Sequence, residues 1–514
     1  MNVVAPNSIL NSKTLLFCFF VLLKFGLHAV IIAPEYNLHR DEYLHLDQGH
    51  HLAWGYLSVP PFTSWTSFLI IFLGKTDFWV KFFPVLYGVL TMLVVWKTIE
   101  ALGGGLYALI LGATAIVFSV LMRINMLYQP NSADILAWSL VYYTVFQYIR
   151  TEQNKWLYFA AIFIGIGFLN KYNIVFQLAG LVPGLWFGGQ RKVFMNKHFY
   201  LAGILAFLIL LPNLIWQYQN DFPVFHHMKL LTETQLVNVN RLDFLKEQLL
   251  FFMGAAFVLV ASWTGFVVYN PFKKYRTIVW AFLITLALFT YLRAKGYYAI
   301  GLYPILIAFG AVYLENVLDK KVWLRLASIL MVILLFIPML WIVFPMKSPD
   351  DIAKDSKPYK ALGLLRWEDG KDHELPQDFA DMLGWQELAK KVDAAYEKIE
   401  DKKHTLVLCD NYGQAGAINY YSRFKDIGAV TLHADYINWI PLGEEIKHII
   451  LIQNADDDDP ERHKEKPLFE VIQRAGKVEA LYARERGTTI YTLIGAKVSI
   501  NSILKKDIED ARWK

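Results

Sequence analysis

The 514 residues are 55% apolar and 18% charged, with a mean hydropathy of +0.33, and apolar runs of about 20 residues recur. This excludes an ordinary soluble globular chain and points to a bilayer. The net charge of +5 joins two unlike parts: residues 1–345 hold 24 Lys+Arg against 14 Asp+Glu, and residues 346–514 hold 26 against 31. A basic membrane part therefore precedes an acidic soluble tail. The basic charges sit in short loops between apolar runs, so nucleic acid is not an implied partner.

Thr14–Ala33 is an apolar run interrupted by Lys24. It is too long for a signal-peptide core and has no small-residue cleavage site, so it reads as an uncleaved anchor. Further runs follow at 79–99, 105–123, 132–149, 156–170, 172–188, 198–216, 244–269, 277–292, 297–316 and 322–344. These predict about eleven transmembrane helices in a membrane domain of residues 1–345. Phe62–Leu73 is apolar but too short to cross, and is expected to lie along the surface. Basic clusters at Arg150/Lys155, Arg191/Lys192/Lys197, Lys273/Lys274/Arg276 and Lys320/Lys321 fall in alternate loops, on the side of the N-terminus. That side is expected to be cytoplasmic. An odd number of spans then puts the tail outside, with loops 34–78, 124–131, around 171, 217–243 and 293–296.

The tail, residues 346–514, reads as a soluble α/β domain. Helical spacing covers Trp385–Lys398, buried strands His404–Cys409 and Lys447–Gln453, and a helix Asn411–Tyr421. Gly413-Gln-Ala-Gly416 follows a strand but lacks the full phosphate-loop pattern. Asp456–Asp459 lacks the alternating ligand spacing of a calcium loop and reads as solvated. Cys18 and Cys409 fall in different compartments, so no mutual disulfide is expected.

Loop 34–78 is long, aromatic-rich and opens on Asp41-Glu42. A carboxylate near apolar surface would have a raised pKa, suited to a general base. Asp134 stands where a span leaves its outer end, either as a functional acid or as a helix-start charge capped by Asn131 or Ser132. Lys171, Arg241, Arg293 and Lys295 run against the positive-inside trend. They could snorkel at the interface, pair with the acids, or hold an anionic headgroup. His226-His227 are adjacent and so a poor same-face pair; a divalent metal there would need Glu42 or His50/His51 as well.

Five passages in order resemble a known family: Asp41-Glu42-Tyr43 with Trp54-Gly55-Tyr56 and Pro60-Pro61; Ser132-Ala133-Asp134; Asn170-Lys171-Tyr172; Pro212-Asn-Leu-Ile-Trp-Gln-Tyr with Phe222-Pro-Val-Phe-His-His; and Lys295-Gly-Tyr-Tyr before Leu302-Tyr303-Pro304. The chain resembles the polyprenyl-phosphate-dependent membrane glycosyltransferases that include dolichyl-phosphate-mannose protein mannosyltransferases and the bacterial lipid A aminoarabinose transferase. The tail segment Asn411–Tyr421 also resembles the bacterial members. The resemblance implies a GT-C fold in a bacterial inner membrane, a polyprenyl-phosphate sugar as donor and an extracytoplasmic acceptor (lipid, glycan or protein). It implies Asp41 as the main catalytic carboxylate with Glu42 beside it and Asp134 as a second acid, and makes Lys171 and Lys295 candidates for the donor phosphate, which join Arg241 and Arg293 from the outer cations. Tyr43, Tyr128, Tyr172, His226, His227, Tyr297 and Tyr298 would line the substrate cavity. Many members have His before the paired prolines, here Val59, and Pro-His after the later lysine, here Gly296-Tyr297. A non-enzymatic transporter of lipid-linked sugars would share the basic cavity, although no inverted repeat is visible.

Overall fold

The computed structural model describes residues 6–234 and 236–511. Every apolar run forms a helix or a helix pair. They are α1 (Pro6–Val30), α4 (Asp77–Ala101), α5 (Leu106–Val117) with α6 (Val120–Ile124), α7 (Pro130–Thr151), α8 (Lys155–Asn170), α9 (Ile174–Phe187), α10 (Lys197–Gln219), α12 (Arg241–Leu250) with α13 (Ala256–Val268), α14 (Arg276–Tyr291), α15 (Tyr303–Val317) and α16 (Val322–Val343). Between them lie α2 (Arg40–Gln48), α3 (Phe62–Phe72) and α11 (Pro223–Thr234). Five helical stretches, 12–30, 77–101, 197–219, 296–317 and 322–343, are long and apolar enough to cross a membrane unaided. The 241–268 pair joins them if its 65° bend is allowed.

Burial sorts these helices. Leu15, Phe19 and Leu22 on α1, Ile204 and Leu208 on α10, and Leu326, Leu330 and Leu334 on α16 are exposed. Tyr303 through Val312 on α15 are buried without a break. A central helix wrapped by helices with apolar outer faces is what a hydrocarbon solvent selects. Helix α3 buries its small residues Thr63, Ser64, Thr66 and Ser67 and exposes Phe68, Leu69 and Phe72. At 11 residues it is too short to cross a bilayer, and its large apolar side chains are the ones left uncovered.

The tail begins with short helices α17 (Pro349–Lys354), α18 (Lys357–Ala361) and α19 (Gln377–Ala380). A mixed sheet in the order β2-β1-β3-β5-β4 follows. It comprises β1 (Thr405–Cys409), β2 (Val430–Thr431), β3 (His448–Gln453), β4 (Phe469–Lys477) and β5 (Thr489–Ala496), with α20 (Trp385–Glu397), α21 (Tyr412–Tyr421) and α22 (Ile500–Ala511). Strands β1, β2 and β3 are parallel; β5 and β4 are antiparallel additions at the far edge. The two buried strands and both helices predicted for the tail are present. Strands β2, β4 and β5 carry no clear alternation and were not expected.

The tail does not hang free. Tyr43, Leu46, Ile70, Val80 and Tyr128 share one core with Trp385, Leu388, Val407, Ile418 and Ile450. Tyr43 and Trp385, both fully buried, meet edge to face at 5.8 Å, a geometry that adds to their area burial. Gly416 makes this possible: a Cβ there would stand 2.6 Å from the Tyr43 Cβ. Gly413–Gly416 is thus a helix packing seam rather than a phosphate loop.

Candidate active site

Helix α2 begins with a capping box. The His39 ring accepts the Asp41 N–H, and Glu42 Oε2 accepts the His39 N–H at 2.7 Å. Neighbouring residues on a helix point about 100° apart, so the two acids separate. Glu42 is fully buried. Both its oxygens take Lys81 Nζ at 2.7 Å, and Oε1 also accepts the Tyr128 N–H at 2.7 Å. It ties α2 to α4 and to the approach of α7, and does not line the cavity.

Asp41 does. It opens into a cavity of about 790 Å³ and keeps its side chain 34% exposed there. Four of the loops predicted on one face supply walls: Arg40 and Asp41; Gln129 and Asn131; Asn240 and Asp243; and Lys295, with Glu247 on α12 and Tyr297 added from the apolar runs that follow. The tail closes the cavity with Glu368, Asp378, Asp381 and Tyr412. The Tyr412 hydroxyl donates to Asp41 Oδ1 at 2.8 Å and Gln129 Nε2 to Oδ2 at 3.0 Å. The Arg40 guanidinium lies 4.5 Å from the centre of the Tyr412 ring, an attractive cation–π placement.

Burial would raise the Asp41 pKa, as expected from sequence. The charges of His39 and Arg40 and the Tyr412 hydroxyl outweigh it, so the carboxyl sits below the ordinary range. The expectation of a raised pKa is therefore corrected: Asp41 is held as an anion. Arg123 pairs with Asp378 at 2.6 Å, fastening α6 to the tail across the cavity.

The other candidates are dispersed around this cavity. Asp134 is buried one layer behind the wall, where Oδ2 accepts from Asn173 Nδ2 at 3.0 Å. Lys171 donates to Asn131 Oδ1 at 2.8 Å and lies 5.0 and 4.5 Å from the Tyr297 and Tyr298 ring centres. These groups buttress the Asn131 and Tyr297 side of the cavity. Tyr43 and Tyr128 are packed into the shared core, Tyr128 accepting or donating to Ser67 at 2.8 Å. Arg241 caps the carbonyls of Thr290 and Tyr291, and Arg293 that of Val237, all on exposed surface.

His226 and His227 lie on α11 and do not line the cavity. Burial and the Lys295 charge lower the His227 pKa. Among the described residues, no three His, Cys, Asp or Glu side chains are grouped to hold a metal. Tyr172 accepts from Gln217 Nε2 at 2.8 Å and donates to Asn213 at 3.2 Å. Asn213 Nδ2 in turn donates to the Trp54 carbonyl at 2.7 Å, and the Trp216 indole occupies the space a Cβ on Gly55 would need. Three of the sequence passages are thus one packing unit.

Sequence reasoning did not single out Arg123, Gln129 or Glu247, nor Asp378 and Asp381. Arg123, a cation beside an outward loop, carried the same signal as Lys171. Tyr412 fell inside the tail segment Asn411–Tyr421 without being assigned a role.

Residues 58–216, from the loop before α3 through most of α10, match the family model described as dolichyl-phosphate-mannose-protein mannosyltransferase. Among curated proteins, none matches the sequence. The fold is similar to that of ArnT from Cupriavidus metallidurans in the apo state, with a TM-score of 0.64 at 13% identity, covering 94% of this chain and 98% of that one. The same protein bound to undecaprenyl phosphate gives 0.61 at 12% identity, with 93% and 97% covered. The chain thus shares the fold of that protein along nearly its whole length, and its residues 58–216 match the dolichyl-phosphate-mannose-protein mannosyltransferase family model.

Proposed function

We propose that this protein is a membrane glycosyltransferase that moves a sugar from a polyprenyl-phosphate carrier to an extracytoplasmic acceptor. The observation that carries this reading is the ionised Asp41 in a large cavity that also presents Lys295 and is roofed by the tail. On this reading the chain crosses the membrane eleven times, its N-terminus is cytoplasmic, and residues 346–514 form an outer domain. The family match and the likeness to a protein solved with undecaprenyl phosphate support a lipid-linked donor.

The acceptor hydroxyl or amine attacks the anomeric carbon. A new C–O or C–N bond forms as the bond to the phosphate oxygen breaks, and the electron pair leaves on the lipid phosphate. A single displacement inverts the anomeric centre. Asp41, held as an anion, accepts the hydrogen bond of the incoming nucleophile, aims its lone pair, and takes its proton as positive charge develops. Lys295 stabilises the phosphate as negative charge builds on it. Lys171 acts through Asn131 and Tyr297, and Asp134 through Asn173, as positioning residues.

Lys295→Gln is expected to raise the donor KM about tenfold, the scale of one charge-assisted hydrogen bond. Steady-state kinetics with purified protein and a polyprenyl-phosphate sugar checks this; an unchanged KM would remove Lys295 from the donor site.

A further inference from the structure

A second cavity of about 450 Å³ lies in the tail, outside the site around Asp41. Its floor is one face of the β4–β5 pair. The register sets Arg474 opposite Tyr491 and Lys477 opposite Thr489, with a bulge between Arg474 and Gly476. Arg474 and Lys477 are an odd number of residues apart and would point to opposite faces of a regular strand. The bulge brings both cations to the same face.

The 455–466 loop forms the wall and contributes Arg462 and Lys466. Arg462 is 3% exposed and adopts a φ of +56°, an uncommon conformation for a residue with a side chain. Its guanidinium pairs with Asp457, approaches Glu465 at 3.6 Å and lies 5.1 Å from the Tyr491 ring centre. Its Nε has no hydrogen-bond partner. A buried guanidinium N–H without a partner is costly and marks a place where an acceptor belongs. Among the described residues, Lys466, Arg474 and Lys477 make no ion pair with an acid. Glu461 is the one carboxylate among the lining residues against four cations.

We infer that this cavity binds an oxyanion, a phosphate or carboxylate, carried on a saccharide. Lys466, Arg474 and Lys477, none of them paired with an acid among the described residues, supply the charge, the Arg462 Nε offers a further donor, and Ile472 beside Tyr491 adds apolar lining. Its position fits an acceptor-docking site. Ala455 on its wall follows Asn454, whose side chain accepts from Gln414 and Asn411. Asn411 caps α21, whose Tyr412 holds Asp41. The assignment as acceptor site rests on the transfer reading; the binding itself does not.

Calorimetric titration of the full-length protein in neutral detergent tests it, with a hexose phosphate, a hexuronate, the neutral hexose and inorganic phosphate as probes. The anionic sugars are expected to bind at least about tenfold more tightly than the neutral hexose, and inorganic phosphate to compete. The double variant R474Q/K477Q is expected to lose about tenfold in hexose phosphate affinity while keeping the unfolding midpoint of the unaltered protein. Equal binding of neutral and anionic sugars, or wild-type affinity in the double variant, would overturn the inference. Capture by phosphatidylglycerol vesicles without hexose phosphate binding would overturn it as well. Intact hexose phosphate binding in a protein that never cleaves donor would strike the transfer reading and leave this site standing.

Discussion

Asp41→Asn protein is expected to lose sugar transfer by about 10²–10⁴-fold, the span of a positioned acid–base group, while remaining folded. The amide can still accept the Tyr412 hydroxyl, now at 2.8 Å. The bond from Gln129 is the one put at risk, a cost of about 1 kcal/mol. What the substitution removes is the anion. Since the folded carboxyl lies below its ordinary range, it stays charged at every pH above about 4. Protonation of Asp41 therefore contributes no loss of rate on going down from pH 8 to pH 5, and any decline there belongs to another group. Initial rates across that range, with a thermal unfolding curve for the variant, check both halves. Substantial activity in the folded variant would remove Asp41 from the chemistry.

The adjacent acid gives the opposite result. Glu42→Ala leaves Lys81 without its partner and strands the N–H groups of His39 and Tyr128. Breaking a buried pair by deleting one member costs about 3–5 kcal/mol. This variant is expected to unfold at clearly lower temperature or fail to accumulate, whereas any molecules that fold keep Asp41 in place. The Glu42→Gln form, similar in shape, is expected to fall between. Unfolding midpoints of the three proteins in one detergent separate the roles: a stable, inactive Glu42→Ala protein would mean that Glu42 works in the cavity after all.

Much of this architecture is legible in the sequence because lipid imposes a simple demand. A helix such as α16 must be apolar on every exposed side, so its run stands out. The parity of the runs also brings loops 34–78, 124–131, 217–243 and 293–296 together, and each of the four lends residues to the cavity wall. Asp41 is legible as a charge just after the first span. Its neighbour Glu42 was read beside it as an acid of the site, and only its contacts with Lys81 and Tyr128 take it out of the cavity.

What the sequence hides is tertiary. The tail's share of the cavity depends on α21 docking against α2 through Gly416 and Tyr43, and no local pattern announces that contact. The low pKa of Asp41 comes from His39, Arg40 and Tyr412 arriving from two parts of the chain. Strand β4 is an exposed edge strand, so it lacks the alternation that would reveal it.

The most direct measurement is the release of free polyprenyl phosphate by the purified full-length protein supplied with a polyprenyl-phosphate sugar and cell-envelope acceptors. The account predicts release that keeps pace with acceptor glycosylation and is lost in Asp41→Asn. Translocation of the intact lipid-linked sugar across proteoliposomes with no polyprenyl phosphate formed would contradict it and point to a carrier instead of a transferase.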